Sequence, residues 1–229
     1  MIPYKSELTK EKLQLLKIGF LELREGSLYA VIGDLLGLIG LVGIIAFLRF
    51  PLDLNQAEAS FEVAASALLI LVAIALVGIV ILLVGLIRWK NSGRYLREFD
   101  PINFSSAETG PALMLWGALL IAFALVVFIA GVLVLSWDIV ITSFIIGIVA
   151  SILVLVGAML FGVFLLKIKD LQLFYGLNVP DFTIDAVLWF LGLVFQVPSL
   201  IAEIPIYIHA GEALTAVIVK EREIAEQES

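Results

Sequence analysis

Four stretches, residues 28–48, 63–87, 112–135 and 139–166, each exceed 20 residues and carry at most one charged side chain, Asp34 in the first. About 20 helical residues cross the ~30 Å hydrocarbon core of a bilayer. Soluble domains are near half apolar and a quarter charged, whereas this chain of 229 residues is 62% hydrophobic and 15% charged, with a mean hydropathy of +1.13. A water-soluble chain of this size has too little polar surface to cover so much apolar length. The expected fold class is therefore an all-α integral membrane protein: a helical bundle of four clear transmembrane helices plus a fifth, proline-broken one.

The remaining segments follow from local chemistry. Residues 1–27 mix Lys5, Lys10, Lys12, Lys17 and Arg24 with Glu7, Glu11, Glu22 and Glu25, and no small-residue cleavage pattern closes the apolar run that follows, so a cleavable signal peptide is not expected. Leu13, Leu16, Phe20 and Leu23 recur at helical spacing, which predicts an amphipathic helix lying on the membrane or docked on the protein's own loops. Residues 28–166 form the four-helix transmembrane bundle. Gly110-Pro111 opens its third helix, and the short Ser136-Trp137-Asp138 link makes the third and fourth an antiparallel hairpin. A link at 167–183 leads to the fifth element at 184–208, which contains Asp185, Gln196, Pro198, Glu203 and Pro205. Proline breaks or bends a helix, so this element is a kinked span, a re-entrant hairpin or an interfacial helix, with the kinked span favoured. Residues 209–229 read as an acidic polar tail helix.

Basic residues set the orientation. In a four-span path the N-terminal segment, the link holding Arg88, Lys90, Arg94 and Arg97, and Lys167 and Lys169 share one side, against Arg49 on the other. Basic loops are retained in the cytoplasm, which predicts a multi-pass protein of the cell membrane with a cytoplasmic N-terminus. A crossing fifth element carries the tail outside; a re-entrant one leaves it inside.

Small residues mark candidate seams, because membrane helices associate through close backbone approach. Gly33, Gly37, Gly40 and Gly43 line the first span, Gly78 and Gly85 the second, and Ser143, Gly147 and Ser151 the fourth. Most such stripes serve packing within one chain; the serine-bearing face of span four is the best candidate to bind another subunit. Glu25-Gly26-Ser27-Leu28-Tyr29, running into the glycine-dotted first span, resembles a family of multi-pass membrane proteins of unknown function from thermoacidophilic archaea. The resemblance implies an archaeal cell membrane and brings no catalytic residues.

Charge inside a membrane marks candidate chemistry. Asp34 lies about 9 Å into the first span at 1.5 Å per residue, and Gln196, Ser199 and Glu203 could line a broken helix of the kind that holds ions in transporters. These four residues are the ion or proton candidates. His209, at the membrane edge, is most simply a hydrogen-bonded interface residue. The chain has no cysteine and one histidine, so a cysteine-held metal centre or a bis-histidine haem is excluded, and no metal site or other cofactor is expected. An isoelectric point near 4.7 leaves no basic face for nucleic acid. Motifs for zinc proteases, serine hydrolases and phosphate-binding loops are missing, so no catalytic residue is assigned and no enzyme is expected. The resulting expectation is a non-catalytic accessory or scaffold subunit whose partners are the lipid bilayer and other membrane subunits. The alternative is a small transporter or channel component using Asp34 and Glu203.

Overall fold

The computed structural model describes residues 8–49, 57–195 and 200–228. Helix α1 (Lys10–Arg49) and α2 (Ala57–Phe99) form one antiparallel hairpin, and α3 (Thr109–Leu133) and α4 (Trp137–Ile168) form another. A short α5 (Asp170–Tyr175) ends on Gly176, whose φ of 66° is the left-handed conformation that glycine adopts without strain. Then come α6 (Thr183–Phe195) and α7 (Leu200–Glu228). All the described elements are helical, and five helices are long and apolar enough to cross a membrane.

Glycine spacing explains the first hairpin. A Cβ on Gly33 would come 2.7 Å from the Leu82 nitrogen and 2.8 Å from the Gly78 carbonyl oxygen; one on Gly40 would come 2.7 Å from the Ala75 Cβ. Only glycine lets the two backbones meet there. The second hairpin uses Gly110 against Gly157 and Phe161, and Gly117 against Ala150 and Val154.

By backbone approach the helices close a ring in the order α2, α1, α7, α6, α4, α3 and back to α2, and side chains such as Trp89 reach across it. The four long helices expected over 28–166 are arranged as two hairpins joined at one end by α2–α3 contact and by the α6–α7 pair. The buried core lies at that end. It holds Leu13, Leu16, Phe20 and Leu23 of α1, Trp89, Leu96 and Phe99 of α2, Phe161 and Phe164 of α4, Phe182, and Ala210 to Val217 positions of α7 such as Ala213. Towards the other end large side chains such as Leu69, Ile70 and Ile148 stand exposed.

Two expectations change and one open choice narrows. The amphipathic segment is no separate surface helix: α1 runs unbroken from Lys10 to Arg49, and its apolar stripe is buried against helices of the same chain rather than loops. The favoured kinked span at 184–208 is overturned. A single 25-residue helix would hold its ends more than ~30 Å apart at 1.5 Å per residue, yet Asp185 Oδ2 lies 2.7 Å from His209 Nδ1. The segment therefore doubles back as a helical hairpin of α6 and α7, with Gln196, Pro198 and Ser199 outside the described residues. Pro205 does not break α7, which continues through it. Finally, of the two sides left open for the tail, the structure favours that of the N-terminus. Lys17 Nζ sits 2.9 Å from Glu221 Oε2 and Arg24 Nη2 donates to Tyr207 Oη at 3.0 Å, so α7 runs antiparallel along the N-terminal half of α1.

Candidate functional site

The α6–α7 hairpin carries the chemistry. Asp181 opens α6: its Oδ1 accepts from the Thr183 backbone N–H at 2.9 Å and from the Thr183 hydroxyl. Those two bonds hold the Asp181 carboxyl below the ordinary carboxylate range, against a smaller opposing effect of burial, with the positive charge of Lys169 adding to them. One turn further on, Asp185 is fully buried, and its Oδ2 receives the imidazole of His209 on α7. With Asp185 ionised the carboxylate only accepts, and Nδ1–H is then the donor. The edge of the Phe182 ring covers the imidazole at a centroid distance of 5.8 Å. The other carboxylate oxygen, Oδ1, is buried with no hydrogen-bond partner among the described residues.

Below this pair sits an aromatic cluster. Trp89 stacks on Phe161 at 4.5 Å and meets Trp189 edge-on at 5.6 Å. The Trp89 indole donates to Ser27 Oγ at 3.1 Å, Ser27 donates on to the Leu23 carbonyl, and the Trp189 indole donates to the Ala158 carbonyl at 2.8 Å. Around it Arg88 of α2 bridges Glu22 at 2.9 Å and Glu25 at 3.2 Å on α1, and Arg97 of α2 meets Glu108 in the turn before α3 at 3.0 Å.

The residues singled out from the sequence are dispersed. Asp34 is half-buried and lines a cavity of about 340 Å³ with Gly33, Gly37, Gly78 and Leu200, the first residue of α7. Glu203 is buried three residues into α7. Gln196 and Ser199 lie outside the described residues. Gly33, Gly40 and Gly43 press on α2, whereas a Cβ on Gly37 would meet nothing within 4 Å. Ser143, Gly147 and Ser151 face a groove of about 550 Å³ shared with Ile121, Leu125 and Phe128 of α3. Both serine hydroxyls bond to their own helix, Ser143 to the Val140 carbonyl and Ser151 to that of Gly147, and a Cβ on Gly147 would also meet nothing within 4 Å.

The sequence reading missed the pairing of Asp185 with His209, since neither carries a local signal for the other. It also missed Asp100, for which a signal exists: Asp-Pro-x-Asn is turn chemistry. Asp100 accepts from the Ile102 and Asn103 backbone N–H groups at 3.1 Å each, from the Asn103 amide at 2.6 Å and from the Tyr175 hydroxyl at 2.9 Å, tying the α2–α3 link to α5. Burial pushes its carboxyl up, but these hydrogen bonds outweigh it and hold the group below its ordinary value. A lowered carboxyl stabilises the fold at pH above the ordinary Asp value of about 3.9 and loses that contribution as pH falls through the folded value. Thermal melting in detergent should therefore fall steeply below about pH 4, and Asp100→Ala should cost about 2–3 kcal/mol at neutral pH and flatten that acid limb. An unchanged acid limb in the variant would assign it to other carboxylates.

Residues 18–228 match the model of a family described as a protein of unknown function (DUF973). No curated protein matches the chain, and no solved structure does.

Proposed function

This chain belongs to that family of proteins of unknown function, and from there we propose that it is a non-catalytic accessory or scaffold subunit of a membrane complex, held in the cell membrane with both ends of the chain in the cytoplasm. The observation that carries the reading is the open groove at Ser143, Gly147 and Ser151. It offers close backbone approach along a face of α4 that α3 only flanks, through Ile121, Leu125 and Phe128, while the tight α3–α4 seam runs along Ala150, Val154 and Gly157. Lipid tails are as apolar as leucine, so such a small-residue face gains by receiving another helix. Supporting it, the polar contacts described above fasten the helices of this chain to one another.

Orientation rests on charge. Lys10, Lys12, Lys17, Arg24, Arg88, Lys90, Arg94, Arg97, Lys167, Lys169, Lys220 and Arg222 gather at the end where α1 begins and α7 finishes, and Arg49 stands at the opposite end. That distribution favours a cytoplasmic location for the first end, and the resemblance of residues 25–43 favours an archaeal membrane. A small transporter using Asp34 and Glu203 is the competing reading, supported by the cavity beside Asp34.

Purification from native membranes in mild detergent should yield a stoichiometric membrane partner. Gly147→Leu should leave the isolated chain folded, there being no atom within 4 Å to resist it, and weaken partner recovery about tenfold or more, the equivalent of a 1.4 kcal/mol steric penalty. Recovery of a lone monomer overturns the subunit reading and leaves the transporter.

A further inference from the structure

The two halves of the α6–α7 hairpin are locked by a pair whose net charge depends on one proton. We infer that Asp185 and His209 form a proton-operated latch: the hairpin is held shut while His209 is doubly protonated and loosens when it gives up that second proton. This goes beyond the subunit reading and does not rest on it.

The geometry sets the logic. Asp185 is fully buried, and one of its two oxygens has no partner among the described residues, so the single hydrogen bond to His209 Nδ1 is what it has to offset its desolvation. A buried carboxylate is tolerated when paired with a cation and costly when left alone. With His209 charged, the pair is neutral overall and its bond is charge-assisted. When Nε2 releases its proton to water, Nδ1–H still donates to Oδ2, yet the buried site is left with a full negative charge and the packing of α6 on α7 weakens. The imidazole is reachable: the His209 side chain retains 27% of its exposure while that of Asp185 has none. Histidine is the side chain that most readily changes charge near neutral pH, which sets the range in which the switch is sought.

Other charges around the pair set its background. Asp181, from the loop before α6, acts on both Asp185 and His209, and Lys169 beside α5 acts on Asp181. From α1, Arg24 approaches α7 at Tyr207 and Gly211; α7 itself carries Glu203 and Glu212. Of these, Asp181 is held below the ordinary carboxylate range and is ionised at neutral pH.

The chain has no native cysteine, so two introduced cysteines report cleanly. Spin labels at Val187 and Ile208, each about half exposed on α6 and α7, would be followed in the full-length chain in proteoliposomes between about pH 5.5 and pH 8.5, either side of the histidine range. A single short distance is expected at the acid end, lengthening and broadening by about one helical turn, ~5 Å, at the alkaline end. Asp185→Asn, an uncharged acceptor for the same N–H, should stay short at both values, and His209→Gln should lose the pH response. A distance that is constant with pH in the native chain overturns the latch, as does an Asp185→Asn chain that keeps the full response.

Discussion

Truncating Trp89 to alanine should lower stability by about 3–5 kcal/mol, the largest loss expected from any single side chain here. The backbones of the two hairpins approach each other at α2 and α3 but not at α2 and α4, so the α2–α4 side of their junction is made by side chains, with Trp89 at its centre. Its ring stacks on Phe161 of α4, its edge meets Trp189 of α6, and its indole N–H reaches Ser27 of α1, so four helices share it. The residue is 1% exposed, and no neighbour is positioned to refill the space without dismantling the cluster. Denaturant titration in detergent should show the loss, together with protease access to the α6–α7 hairpin. Trp89→Phe separates the contributions: it keeps a stacked ring, gives up the bond to Ser27 and should cost on the order of 1 kcal/mol from that bond plus a smaller packing loss. A Trp89→Ala chain within 1 kcal/mol of native would mean that the hairpins are joined elsewhere.

The helices and their number were largely legible in the residues, because apolar length is a local property. Their docking was not. Leu13, Leu16, Phe20 and Leu23 present the same stripe whether it meets lipid or α7, and only the Lys17–Glu221 and Arg24–Tyr207 contacts, some 200 residues apart in sequence, distinguish the two. Residues 184–208 have the length of a span, and two prolines suggest a kink. What decides against it is one hydrogen bond between Asp185 and His209, and nothing within either helix encodes that encounter. Small-residue spacing was similarly degenerate. Ser143-Gly147-Ser151 stood out as a seam in the residues, yet the α3–α4 hairpin packs through Gly110, Gly117 and Gly157, leaving the serine face with space in front of it. The candidate acids fared by the same rule. Asp34 and Glu203 were visible as charges in apolar runs, but their neighbours depend on a chain reversal that spacing does not announce.

The α1–α2 seam offers the sharpest contrast between two glycines on facing positions. A Cβ at Gly78 would come 2.6 Å from the Gly37 nitrogen and 2.8 Å from the Gly33 oxygen, both backbone atoms, so nothing can rotate away and the helices themselves must part. Gly78→Ala gains about 1 kcal/mol of helix propensity, against an overpacking cost of about 1–3 kcal/mol, and should come out destabilised. Gly78→Leu adds a branched side chain to the same clash and should abolish the compact hairpin, seen as loss of a monodisperse peak and of the cooperative thermal transition. Gly37→Ala is the control on the opposite helix. Its Cβ would point into open space beside the Asp34 cavity, so propensity acts unopposed and the chain should be stabilised by about 1 kcal/mol. Orientation of the helix face, and not glycine as such, is what the pair tests: equal damage from Gly37→Ala and Gly78→Ala would place the contact line of α1 about a quarter-turn from where Gly33 and Gly40 put it.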